Sequence, residues 1–232
     1  MYYRTQAANL VARDNEFYRQ HASEFARTRQ HFWPGWERLP VSEGMRVLDV
    51  ACGTGRLYRW LQTKLDNFSY LGLDNCAELW QAGGSPTELF CPVDLLAEYQ
   101  EGHVAAWSRQ VPAADLVVVM GFYHHVPQPE WRAWLMEDCW RAVVPGGCLA
   151  VSVWQFEREC PQLMKQKLTN EDYLLSWQGS DEGVRFAHAT SGCELIQLTQ
   201  NLQRLGGQLV DDFVADGKNG RTNRYLVWRK LT

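Results

Sequence analysis

Short apolar runs recur through the middle of the chain at Val47–Val50, Phe68–Asp74, Leu89–Leu95, Asp115–Met120 and Cys148–Trp154, separated by segments of mixed polarity. Nearly continuous apolar runs suit strands of a parallel sheet buried on both faces. A helix is predicted to begin near Arg56. Another runs from about Pro129 to Val144, where Pro145-Gly146-Gly147 stops it. Beyond residue 190 a helix over about Ser191–Leu205 ends at Gly206-Gly207. Strands near Gln208–Ala215 and Asn223–Lys230 follow, joined by the turn Asp216-Gly217-Lys218-Asn219-Gly220. Two consecutive strands joined by a turn form a hairpin, so an otherwise parallel sheet ends antiparallel. The class is α/β, with residues 1–232 as one domain. Residues 1–44 form an N-terminal helical extension, with a helix over about Asn9–His31 that carries Phe17, His21, Phe25 and Thr28 at helical spacing. Trp33-Pro34-Gly35 breaks it. Residues 155–190 are longer than a strand–helix link needs and read as an insertion, a binding loop or lid.

The first apolar run ends in Asp49-Val50-Ala51-Cys52-Gly53-Thr54-Gly55. Glycines at this point let the chain turn into a helix and let a ligand approach the backbone. A dinucleotide turn carries a third glycine, but Tyr58 stands there, and a phosphate loop ends in G-K-[ST], where this chain has Gly55-Arg56-Leu57. Asp49 repels a pyrophosphate and suits a cation. S-adenosylmethionine (SAM) has an ammonium, a sulfonium and no phosphate. Asp74 lies at the distance expected of an acid that binds ribose hydroxyls. Taken singly, Asp74 and Asp94 read equally well as helix N-caps.

The D-x-x-x-G-x-G pattern, Asp74, Asp94 and the Pro145-Gly146-Gly147 turn together resemble the class I SAM-dependent methyltransferases, including the methyltransferase type 11 group. The resemblance implies a Rossmann-like sheet of seven strands in the order 3-2-1-4-5-7-6. SAM is then the cofactor and S-adenosylhomocysteine (SAH) the product. It implies a cofactor site at Asp49, Ala51, Cys52, Gly53, Gly55, Asp74, Asn75, Asp94, Leu95, Met120 and Gly121, with Asp94 towards the adenine amino group. Phe25, Thr28-Arg29, Trp33-Pro34, His124-His125, Val153-Trp154, Leu175-Ser176-Trp177, Arg185-Phe186-Ala187-His188 and Glu194-Leu195 fall in one order. That order is similar to the tRNA wobble-uridine carboxymethyl methyltransferases and their bacterial relatives, which methylate a carboxylate.

Composition narrows the picture further. The chain has eleven tryptophans, which belong to the core or to pocket walls. The seven cysteines form no C-x-x-C pair, which points to packed thiols without a disulfide framework or a metal site, and to a cytoplasmic protein. Neither a signal peptide nor a membrane span is expected. The formal net charge of −4 argues against a DNA partner. The acid-free stretch from Lys218 to Lys230 reads as a solvated strand edge or as a contact to RNA phosphate.

The expected function is methyl transfer from SAM to an O or N acceptor, a small molecule or a tRNA-borne carboxylate. A SAM- or SAH-binding regulatory module without turnover is the alternative. The candidate catalytic groups are His124, His125, Arg29, Arg185 and His188. An arginine can hold a carboxylate bidentately. The same arginines could equally be a helix-surface residue and a loop ion pair. Oligomeric state is not legible.

Overall fold

A computed structural model describes residues 2–103, 107–177 and 180–232; Gln178 and Gly179 of the insertion lie outside the described residues. Strand β1 (Arg46–Val50) pairs in parallel with β2 (Ser69–Asp74) on one side and β4 (Ala114–Met120) on the other. Beyond β2 lies β3 (Phe90–Pro92), and beyond β4 lies β5 (Val143–Trp154). The hairpin of β9 (Gly207–Ala215) and β10 (Asn223–Lys230) completes the sheet in the order β3-β2-β1-β4-β5-β10-β9. Strand β10 runs antiparallel to both its neighbours. Counted within this sheet alone, that is the expected 3-2-1-4-5-7-6.

Strand side chains alternate between the two faces. Leu48, Val50, Val117, Val119, Leu149 and Val151 pack on one side against α6 (Pro129–Ala142) and α8 (Gly192–Arg204). Val47, Leu116, Val118, Cys148 and Ala150 pack on the other with Trp36, Tyr225 and α3 (Arg56–Leu61). The strand order reverses between β1 and β4, which opens a crevice at their carboxyl ends.

Several elements depart from the expected pattern. The N-terminal segment is two helices, α1 (Tyr2–Gln20) and α2 (Ala22–Thr28), broken at His21. The third strand is short because Pro92 has no amide hydrogen to donate, and Asp94 instead caps α5 (Leu95–Gln100). Pro145-Gly146-Gly147 does not form a separate turn. It sits inside β5, where the pairing with β4 slips between Ala114 and Leu116, and the extra residues bulge. The basic stretch at the end is no sheet edge, since β10 lies between β5 and β9. Arg224 pairs with Asp212 at 2.6 Å, and the Lys230 ammonium donates to the carbonyls of Trp140 and Val143.

The insertion contains the short helix α7 (Phe156–Glu159) and a separate antiparallel sheet of β6 (Met164–Lys167), β7 (Asp172–Trp177) and β8 (Ser180–His188). Helix α1 packs on this sheet, with Phe17 edge-on to Trp177 at 5.4 Å. Gly183, at φ +83°, allows that approach, because an added Cβ would lie 2.7 Å from the Phe17 ring. Among the described residues no helix is long and apolar enough to cross a membrane.

Candidate functional site

The crevice at the ends of β1, β2 and β4 is a cavity of about 740 Å³, walled further by α1, α2 and β8. Its floor is the turn after β1. Gly53, at φ +55°, has nothing within 4 Å of an added Cβ, so its backbone is bare to the cavity. Its N–H donates to Asp74 Oδ2 at 2.8 Å, and the other Asp74 oxygen accepts the Cys76 N–H at 2.9 Å. Asp74 thereby ties the turn to the start of α4 (Ala77–Gly83). Burial raises the Asp74 carboxyl to about 6, against the amides that lower it.

Asp49 Oδ2 accepts the Tyr70 hydroxyl at 2.6 Å. Burial pushes this carboxyl up to about 7, with Tyr70 pulling the other way and Asp74 adding to the rise. Asp94 Oδ1 accepts the Leu96 and Ala97 amides at 3.2 and 3.0 Å. It is an N-cap that also faces the cavity. Ala51, Cys52, Asn75, Leu95, Met120 and Gly121 line the same space. Gly55 does not. At φ +65°, an added Cβ would lie 2.6 Å from Ser85 Oγ and 2.8 Å from the Trp80 ring. It is a packing glycine, which corrects its place among the cofactor contacts.

The opposite wall is basic. Arg185 lies in β8 and is 5% exposed. Its Nη1 donates to the Tyr18 hydroxyl at 3.2 Å, its guanidinium lies over the Phe17 ring, and its buried Nε has no partner among the described residues. Arg29 is half-buried, stacked over Phe25 at 4.4 Å, and donates to Thr28 Oγ1. Both arginines line the cavity, and no described carboxylate is paired with either.

The two adjacent histidines have different fates. His125 Nδ1 is shared between Asp14 at 2.8 Å and the Phe186 carbonyl at 2.9 Å, and Nε2 meets the Tyr18 hydroxyl at 2.9 Å. With both nitrogens engaged, His125 positions Tyr18 and, through it, Arg185. Neither ring nitrogen of His125 is left free to act as a base. His124 is buried, its Nδ1 is without a described partner, and it lines the cavity. Burial, then His125, Arg185 and His188, hold its pKa well below the ordinary value, so it is a neutral imidazole.

His188 is not among the residues that line the cavity, unlike the two arginines grouped with it. Its Nδ1 meets Asp172 at 2.8 Å and its Nε2 meets Glu194 at 2.7 Å. Glu194 also accepts Arg132 at 2.7 Å and the Tyr123 hydroxyl at 2.9 Å. Burial opposes the Glu194 charge, but His188 and Arg132 still hold the carboxyl down to about 2. Burial likewise opposes the His188 charge, and Asp172 and Glu194 outweigh it and raise its pKa. The Glu194 contribution is therefore present above the unfolded value of 4.5 and is lost as pH falls towards about 2. The His188 contribution is complete below 6.5 and is lost as pH rises through its raised value. His188→Gln is expected to cost about 2–3 kcal/mol at pH 6, because Asp172 loses its cation and Glu194 keeps only Arg132. Urea unfolding at pH 6 checks this, and an unchanged midpoint refutes it.

Sequence patterning did not bring out Arg56, Tyr18 or Asp14. Arg56 opens α3, donates to the His31 carbonyl at 3.2 Å and lies over Trp33 at 4.5 Å. Burial and then Arg29 lower its pKa to about 10, which leaves it cationic. Asp14 and Tyr18 stand one helical turn apart on α1, and that i, i+4 polar pair is the signal that could have found them.

Residues 47–147, from β1 into β5, match a family described as Methyltransferase domain. Trans-aconitate 2-methyltransferase of Variovorax paradoxus is 26% identical over 136 residues, 59% of this chain and 48% of that protein. The tRNA (carboxymethyluridine(34)-5-O)-methyltransferase ALKBH8 of Mus musculus is 26% identical over 151 residues, 62% of this chain and 20% of that protein. The matched stretch thus spans less than half the length of either relative. A solved SAM-dependent methyltransferase from Methanosarcina mazei has the same fold, with a TM-score of 0.62 and 18% identity over 86% of this chain and 98% of that one.

Proposed function

From the premise that this chain carries a class I SAM-dependent methyltransferase domain, we propose that it transfers the methyl group of SAM to a carboxylate oxygen. The donor set suits that cofactor. Gly53 presents bare backbone, and Asp49 and Asp94 each have one oxygen engaged by described contacts and the other not. In this reading Asp49 faces the ammonium, Asp74 the ribose hydroxyls and Asp94 the adenine amino group. SAM supplies a methyl group already activated on its sulfonium, so the protein's task is to align the acceptor.

The observation that carries the acceptor is Arg185, a buried cation on the cavity wall that is paired with no described carboxylate. A buried charge of this kind calls for an anion. Arg185 and Arg29 hold the carboxylate, and Tyr18 and His125 fix Arg185 in place. An ionised carboxylate is itself the nucleophile and needs no general base, which agrees with the neutral His124. The product is an uncharged ester, so the arginines lose their partner when transfer is complete. The names of both relatives specify acceptors that bear carboxyl groups, which supports the same reading.

Incubation with methyl-labelled SAM and fractionated metabolite and tRNA pools tests it. The expected label is released as methanol by mild alkali, as an ester requires. Alkali-stable label would mark an ether or amine product and overturn the proposal.

A second expectation concerns pH. With its pKa near 7, Asp49 is ionised only above that value. SAH affinity should therefore rise about tenfold between pH 6 and 8. Calorimetry on Asp49→Asn should leave only the shallow slope that Asp74, raised to about 6, contributes, and a tenfold rise that persists would exclude Asp49 as its source.

A further inference from the structure

Arg56 opens α3 directly after the turn that carries Gly53 and Gly55, and it lines the cavity together with Asp49. Burial raises the Asp49 carboxyl, and Arg56 is the cation whose charge works against that rise. The guanidinium lies over Trp33 at 4.5 Å and over Trp36 at 5.2 Å, which fixes its plane. Its Nη1 donates to the His31 carbonyl at 3.2 Å, and among the described residues nothing is bonded to the Nε–Nη2 edge. That edge offers two parallel N–H donors, the geometry in which a carboxylate is held bidentately. Trp33 in turn reaches the end of β4, where an added Cβ on Gly121 would lie 3.1 Å from its ring. The stack therefore stands beside the strand end that the cofactor occupies. Asp216, which also lines the cavity, is committed elsewhere. It accepts the Gly35 N–H and the Asn223 amide, both at 2.8 Å, and the Tyr225 hydroxyl.

The other cations of the cavity are placed differently. Burial raises the Tyr18 hydroxyl, and Arg185 and Arg29 are the cations that work against it, which groups them on the acceptor wall. Lys218 is exposed on the turn between β9 and β10, where its ammonium stays hydrated. SAM carries its ammonium and its carboxylate on one carbon, so the two groups lie within about 4 Å of each other. A carboxylate brought that close to Asp49 and Asp74 is repelled unless a cation meets it. We propose that Arg56 holds the carboxylate of the cofactor through its Nε–Nη2 edge, a conclusion that rests on the placement of the ammonium at Asp49 above.

Asp49 and Arg56 then form a matched pair for a zwitterion, each charge of the protein meeting its opposite on the cofactor. The assignment divides the three guanidinium groups between the two ligands. Arg56 serves the cofactor, while Arg29 and Arg185 remain for the carboxylate to be methylated. The amino-acid head of SAM takes no part in the bond changes and is the same in SAH. A contact to it therefore strengthens binding without distinguishing the transition state, and it acts on KM for SAM more than on kcat.

Calorimetry with three ligands at about pH 8, where Asp49 is ionised, tests the proposal. The ligands are SAH, its decarboxylated amine, which keeps the ammonium, and the propyl thioether of adenosine, which has neither charge. The parent is expected to prefer SAH over the amine by about 30-fold. In Arg56→Gln that preference should fall to about threefold or less. Affinity for the amine should stay within about threefold of the parent, which shows the rest of the site intact. Arg29→Gln and Lys218→Gln should keep the preference. A preference that survives in Arg56→Gln, or that is lost in Arg29→Gln or Lys218→Gln instead, overturns the inference. So does an equal loss of SAH and amine affinity in Arg56→Gln, which would make Arg56 a packing residue. The amine measured against the thioether reads the ammonium alone. If Asp49→Asn leaves that difference unchanged, the placement of the ammonium at Asp49 fails, a result distinct from every outcome for Arg56.

Discussion

Arg185→Ala is expected to lower kcat/KM for the carboxylate acceptor by about 10²–10³-fold, because truncating one partner of a buried charged pair costs roughly 3–4 kcal/mol. Calorimetry should find SAH affinity changed by less than about threefold, since no cofactor contact is assigned to this residue. Arg185→Lys should recover little, because an ammonium cannot offer two parallel N–H donors. Tyr18→Phe removes the hydroxyl that accepts from Arg185 and meets His125. It should raise KM more than it lowers kcat, as expected of a positioning residue. Arg29 is half-buried and less constrained, so Arg29→Ala should cost about tenfold in kcat/KM. Unchanged acceptor kinetics in Arg185→Ala would remove the basic wall from the reaction.

The second large effect separates two glycines of one turn. Gly55→Ala drives a methyl group to 2.6 Å from Ser85 Oγ and 2.8 Å from Trp80 at a positive φ. Overpacking and backbone strain together should cost about 3–4 kcal/mol, a fall in Tm of roughly 10 °C for a chain of this size. Gly53→Ala meets no atom within 4 Å, so its cost is the backbone conformation alone, about 1 kcal/mol. Its effect should fall on the ligand. The added methyl occupies bare cavity floor, and SAH affinity should drop by about 30-fold or more with a Tm change of only about 3 °C. Calorimetric binding and thermal melts on the two variants would give opposite profiles. Matching profiles would mean that both glycines serve the same purpose.

The sheet, its terminal hairpin and the acidic turn were legible because their signals are local. A strand buried on both faces must be apolar along its length, as Val47–Val50 and Asp115–Met120 are, and a turn that bares its backbone needs glycine, as at Gly53. Asp49 lies near the end of β1, Asp74 at the end of β2 and Asp94 just beyond β3, and all three line the cavity. The β6–β8 sheet was hidden because its strands are defined by partners in the insertion and by α1, not by any period of their own. The same non-locality governs the site. Arg185 and His188 stand three residues apart, yet His188 finds Asp172 and Glu194 while Arg185, among the described residues, finds a hydroxyl and aromatic faces. Gly53 and Gly55 differ because Trp80 and Ser85 arrive behind one and nothing arrives before the other. Fold class and donor could be read along the chain, since both depend on neighbours in sequence. Which polar groups are left without a partner could not be read in that way, because each partner comes from a distant segment.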